Sequence, residues 1–130
     1  MEAKDLRIGN WFLGDCTEGK FHQITANEIL DFYDDPLDDY YQPIPLTEEW
    51  LLKLGFEYND NYENYRVKAN EYYNSVKLDD GIWCYNNDNS DAGCYFVTEI
   101  KHVHQLQNLY FALTGQELTL KNFSWTISHY

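Results

Sequence analysis

The chain has 130 residues and a formal net charge of −13 at pH 7, with 44% apolar and 18% aromatic residues. That length allows one domain with a real core, and that apolar content excludes general disorder. The charge argues against direct binding to nucleic acid or anionic lipid, whose phosphates call for basic surface, and it suits a chain that presents carboxylates to a basic protein.

Other classes are excluded by pattern. No apolar run approaches the roughly 18 residues of a membrane span. Glu2, Lys4, Asp5 and Arg7 interrupt any signal-peptide pattern at the start. Cys16, Cys84 and Cys94 are odd in number and lack CxxC spacing, which fits a reducing cytoplasm better than a disulfide scaffold. The 12 Tyr, 7 Phe and 4 Trp exceed what a core of this size requires. The surplus belongs on sheet faces or at a partner contact.

In chain order, LRIGN at Leu6–Asn10 leads into a short aromatic strand, Trp11–Leu13. Gly14–Lys20 carries turn chemistry and Phe21–Ile24 returns, so the N-terminal region predicts a β-hairpin, an arrangement compatible with a small barrel-like module. Ala26–Tyr33 fits either a strand or a helical turn through Ile29, Leu30 and Phe32. Asp34–Asp39, DDPLDD, reads as a charged loop broken by Pro36.

Pro43–Phe56, PIPLTEEWLLKLGF, predicts a short capped helix. Pro43 and Pro45 hold an extended approach, and Thr47 is a good N-cap. Glu48 and Glu49 suit the positive end of the helix dipole and Lys53 the negative end. Trp50, Leu51 and Leu54 form the apolar face, and Gly55 ends the helix with Phe56 folding back over it.

From 57 to 101 the period changes to two. Tyr65, Val67 and Ala69 alternate with Arg66 and Lys68, Asn74, Val76 and Leu78 share one side, and Asp80-Gly81 marks a tight hairpin before Ile82–Tyr85. Asn86–Gly93 reads as a polar loop, and Cys94–Lys101 resumes as a strand. The expectation is an antiparallel meander of three or four strands.

His102–Gly115 is the longest helical period. Val103, Leu106, Tyr110 and Leu113 define its face, Leu109, Phe111 and Ala112 widen it, and Gln105, Gln107 and Asn108 mark its polar side. Gly115 suits the left-handed conformation past the helix end. Each buried Leu or Phe contributes roughly 1.5–3 kcal/mol, so this helix should dominate the core. Gln116–Leu120 reads as a short strand or turn. The tail from Lys121 to Tyr130 alternates as an edge strand through Phe123, Trp125 and Ile127.

The fold class is therefore α+β: an antiparallel meander covered by one main C-terminal helix, with a short capped helix and an N-terminal hairpin region. The chain reads as a single domain over 1–130. Its parts are the hairpin region and acidic loop (1–42), the short helix (43–56), the meander (57–101), the main helix (102–115) and the tail (116–130).

Three phrases in this order, LRIGN at Leu6–Asn10, PIPLTEEWLLKLGF at Pro43–Phe56 and VHQLQNLYFALTGQEL at Val103–Leu118, resemble a family of small uncharacterised proteins of Bacteroidetes genomes, their phages and mobile elements. The resemblance implies a bacterial or phage cytoplasmic origin. It carries over no functional residue, and the shared phrases are explicable as capped helices and core.

Motif chemistry is sparse. His102 and His104, two apart, point to different helix faces, unlike the i, i+4 pairs that hold zinc. Cys84 and Cys94 flank a hairpin-like loop, which suggests neighbouring strands. Asp88, Ser90, Gly93 and Glu99 match part of a calcium-loop template, but Ala92 cannot ligate through its side chain and the flanks read as strands. No phosphate-binding loop, nucleophile elbow or dinucleotide motif is present, so no catalytic residue, metal or cofactor is assigned.

The feature that invites a function is acidic and tyrosine-interleaved. From Phe21 to Leu52 there is no Lys or Arg, while Glu28, Asp31, Asp34, Asp35, Asp38, Asp39, Glu48 and Glu49 alternate with Tyr33, Tyr40 and Tyr41. Such carboxylates can imitate a phosphate backbone in a basic groove, with Tyr rings imitating stacked bases. The expected partner surface is Asp31, Asp34, Asp35, Asp38, Asp39, Tyr40 and Tyr41, and the expected partner is a basic protein surface, such as that of a nucleic-acid-binding host enzyme. Two other classes fit the sequence: a small-ligand binder with an aromatic pocket, and an assembly protein that self-associates.

Overall fold

The computed structural model describes residues 6–14, 20–34, 41–69, 72–89 and 93–121. It has two antiparallel sheets and three helices, an α+β architecture with no closed barrel. The first sheet holds β1 (Trp11–Gly14), β2 (Lys20–Gln23) and β3 (Tyr41–Pro43), in the order β2-β1-β3. The predicted hairpin is β1–β2, with Phe12 opposite His22 and Leu13 opposite Phe21. The barrel-like arrangement is corrected to this open sheet, because β3 pairs with the second edge of β1.

Both flanking strands run antiparallel to β1, so they are parallel to each other. Their connection crosses the sheet through α1 (Ala26–Asp34), which settles the ambiguous segment as helix. Thr25 and Glu28 decide this locally. The Thr25 amide and hydroxyl donate to Glu28 Oε1 at 3.0 Å each, and the Glu28 amide donates back to Thr25 Oγ1 at 3.4 Å. That reciprocal pair is a capping box.

Helix α2 (Glu48–Lys53) follows its prediction closely. Thr47 Oγ1 accepts from the Trp50 amide at 3.3 Å. The Gly55 amide donates to Leu52 O and the Phe56 amide to Leu51 O, a Schellman closure with Gly55 at φ 97°. Thr47→Ala is expected to cost about 1 kcal/mol, read as a lower urea midpoint at unchanged slope.

The second sheet has five strands in sequence order, one more than the upper expectation: β4 (Glu57–Asn59), β5 (Asn64–Ala69), β6 (Tyr72–Asp79), β7 (Ile82–Asn89) and β8 (Gly93–Ile100). Asp80 and Gly81, at φ 53° and 79°, make the two-residue turn between β6 and β7. The expected loop at Asn86–Gly93 is corrected, since Asn86–Asp88 continue β7 against β6 and Asn89 pairs with Gly93 of β8. Asn74 explains part of this. Its Oδ1, on buried β6, accepts from Asn87 Nδ2 and from the Tyr85 hydroxyl at 2.9 Å each. Cys84 and Cys94 are not opposite one another, since Cys84 faces Glu99 and Cys94 faces Asp88. Asp88 and Glu99 therefore lie near opposite ends of the β7–β8 ladder, about 13 Å apart along it, and form no calcium loop.

Helix α3 (Val103–Thr114) closes the core. Val103, Leu106 and Tyr110 are buried with Ile44, Trp50, Leu51, Leu54, Phe56, Val76, Tyr85 and Ile100. Gly115 takes the left-handed conformation, φ 74°. The expected apolar face is wrong at its C-terminal end and on one flank. Phe111, Ala112 and Leu113 are exposed, and Gln107, assigned to the polar side, is 2% exposed. The buried stripe is Val103, His104, Leu106, Gln107 and Tyr110, because one flank of α3 docks on a polar edge of the first sheet rather than on aliphatic surface. Gln116–Leu120 form no regular element, and Leu118 is buried. The predicted strand after Lys121 lies outside the described residues.

Candidate functional site

The docking of α3 on the first sheet brings together the three phrases singled out in the sequence. Gly9 adopts φ 93°, which turns LRIGN so that its backbone faces α3. Gln107 Oε1 accepts from the Trp11 amide at 2.9 Å, and Gln107 Nε2 donates to Gly9 O at 3.1 Å. Asn10 Nδ2 donates to Asn108 Oδ1 at 2.9 Å. The second phrase joins through Ile44 O, which accepts from the Val103 amide at 2.9 Å, and the Leu46 amide, which donates to Lys101 O at 3.0 Å. These residues hold the two sheets to one helix, which is a structural role.

Beside this junction runs an open groove of about 770 Å³ along the first turns of α3, walled by Arg7, Pro43, Thr98, His102, His104 and Asn108. Arg7 is firmly engaged. Nη1 donates to Asn108 Oδ1 at 3.0 Å and to Gln107 O at 3.3 Å, Nη2 pairs with Glu117, and the guanidinium lies 4.2 Å from the Phe111 ring centroid. Its partial burial lowers its pKa from the ordinary arginine value. The His102 and His104 rings stack at 5.8 Å, and His104 lies 4.8 Å from the Phe12 ring. Among the described residues no group of three His, Cys, Asp or Glu side chains is placed to hold a metal ion.

The predicted acidic surface is placed only in part. Asp31 and Asp34 lie on α1, and Tyr41 opens β3 opposite Gly14. Asp35, Asp38, Asp39 and Tyr40 lie outside the described residues. The structure puts α1 in the crossover between the two edge strands of the first sheet. Glu28, at the head of this segment, is turned inward, with its carboxylate 2.8 Å from His22 Nε2.

Elsewhere the carboxylates face outward. Glu48, Glu49, Glu57, Asp60, Glu63, Asp79, Asp80, Glu99 and Glu117 are all exposed. Three of the described cations are engaged by neighbouring groups. Arg7 binds α3, Lys53 pairs with Glu49 at 3.0 Å and lies over the Trp50 ring, and Lys121 Nζ is 3.9 Å from Glu57. The positions of Arg7, Gln107 and Asn108 were not evident from periodicity, although LRIGN, with its glycine before a polar residue, was a usable signal.

Comparison with protein-family models, curated proteins and solved structures returned no match to the chain. No described helix is long and apolar enough to cross a membrane.

Proposed function

We propose that the protein is a non-enzymatic acidic interaction protein of phage or mobile-element origin. It acts in the bacterial cytoplasm by occupying a basic groove on a nucleic-acid-binding host enzyme. The observation that carries this reading is the distribution of charge: nine described carboxylates are exposed, while Arg7 is engaged by α3 and Lys53 by Glu49 and the Trp50 ring. A surface charged in this way steers toward a basic partner and repels nucleic acid itself. The contact surface is Asp31, Asp34, Asp35, Asp38 and Asp39 with Tyr40 and Tyr41, on and after the α1 crossover.

Reversing Asp34, Asp35, Asp38 and Asp39 to Lys is expected to abolish inhibition of the partner enzyme and its salt-sensitive capture from host lysate, because screened charge is the main attraction. Full potency in that variant removes the proposal. The groove beside α3 favours a second reading, a small-ligand binder. Native mass spectrometry then shows a stoichiometric small molecule that is lost on denaturation.

A further inference from the structure

The outer face of the five-stranded sheet carries the exception to the charge pattern. Tyr65 and Val67 of β5 pack on the core, so Arg66 and Lys68, alternating with them, point to the opposite face. The ladder sets Arg66 opposite Ser75 and Lys68 opposite Tyr73 on β6. Both cations approach the same ring: the Arg66 guanidinium carbon is 4.2 Å and Lys68 Nζ is 5.9 Å from the Tyr73 centroid. Tyr62 lies on Arg66 as well, at 5.8 Å.

Among the described residues no carboxylate lies within ion-pair distance of Arg66 or Lys68. Glu57 faces Arg66 across the β4–β5 pair, but its carboxylate is the one near Lys121. In a chain with 22 acidic and 9 basic residues, two adjacent cations without an acidic partner are unexpected. They line a cleft of about 330 Å³ with Tyr58, Asn59 and Tyr73, where short β4 ends beside β5. Next to Arg66 on the same face, the Ser75 hydroxyl is buried and has no hydrogen-bond partner among the described residues.

We propose that this cleft binds a multiply charged oxyanion group, phosphate or carboxylate, through Arg66 and Lys68. Tyr73 covers the guanidinium face, which fixes its plane and leaves the in-plane N–H edge to bind two oxygens at once. Lys68 adds a point charge beside it. The remote carboxylates do not forbid this, because at physiological ionic strength charges more than about 8 Å away are largely screened. Glu57, at the cleft wall, is the near charge that opposes binding.

The test is NMR titration of the full chain with inorganic pyrophosphate in one arm and citrate in the other, at fixed ionic strength. The expected result is a saturable shift of the Arg66 Nε–H and of the Lys68 and Tyr73 amides, and the arm with tighter binding names the oxyanion. Arg66→Gln is expected to weaken binding about tenfold or more, since it removes charge-assisted bonds. Lys68→Gln gives the same direction if the Arg66 variant does not fold. Glu57→Gln is expected to strengthen binding severalfold, a change that a purely structural cation–ring cluster does not produce. Absence of a saturable shift with both probes, or equal affinity in wild type and the charge variants, overturns the site.

Discussion

Gln107→Leu is expected to lose about 2–4 kcal/mol of stability, far more than a residue on a supposed polar face should cost. The substitution keeps the volume and removes both hydrogen-bonding ends. The Trp11 amide loses the acceptor it reaches at 2.9 Å, and Gly9 O loses its donor at 3.1 Å, although Gln23 Nε2 still reaches Gly9 O at 3.1 Å. A buried N–H left without a partner costs about 1–3 kcal/mol. The surrounding junction is buried polar structure, so strain there reaches Asn10 and Asn108 as well. The control is Gln105→Ala. Gln105 Oε1 accepts from the Lys101 and His102 amides at 3.0 Å each, but at an exposed helix start where water replaces it, so the loss is about 1 kcal/mol or less. Urea unfolding followed by Trp fluorescence compares the two, and hydrogen exchange at the Trp11 amide reports the junction directly. Equal small losses in both variants would show that the network contributes little.

The contrast between Gln105 and Gln107 also shows where the sequence stops being readable. Features set within a few residues were legible: the Thr47 cap, the Gly55–Phe56 closure, the Asp80-Gly81 turn and the β1–β2 hairpin. Thr25 and Glu28 were equally local, and their spacing alone identifies α1 as a helix. Gln107 was not legible, because the groups that bury it belong to Gly9 and Trp11, at the far end of the chain. Nor was the strand at Asn86–Asn89, since Asn reads as loop until Asn74 on the neighbouring strand supplies an acceptor. Strand β3 is three residues ending in Pro43, too short to show a period. For the site, composition marked the acidic segment, but the approach of Arg66 and Lys68 to one tyrosine depends on the β5–β6 register. Alternation alone does not give that register.

The second large effect is loss of stability in alkali. Tyr85 is fully buried, and its hydroxyl donates to Asn74 Oδ1, so ionisation would strip a donor and bury a charge. Burial raises its pKa well above the ordinary tyrosine value, with Tyr110 adding to the shift. Burial also raises Tyr110, and Tyr65 is pushed up to about 12, first by burial and then by its hydrogen bond and proximity to Glu48. In each case the folded state holds the phenolic proton more tightly than the unfolded chain does. The stabilisation is therefore complete below about pH 10, the unfolded value, and falls as pH rises toward the folded values. Each fully buried phenol removes at most about 1.4 kcal/mol per pH unit in that window. Tyr65 contributes less because it is only partly buried. Unfolding free energies from urea titrations between about pH 8 and about pH 11 are expected to be level at first and then to drop by about 2–3 kcal/mol over the last unit. Tyr85→Phe should cost about 1 kcal/mol at neutral pH, since Asn74 Oδ1 keeps its bond from Asn87, and should make the alkaline decline visibly shallower. Titration at the tyrosinate absorbance follows the buried rings, which ionise only as the chain unfolds. A level profile to about pH 11, or an unchanged slope in Tyr85→Phe, would show that the Tyr85 hydroxyl is not held protonated by the core.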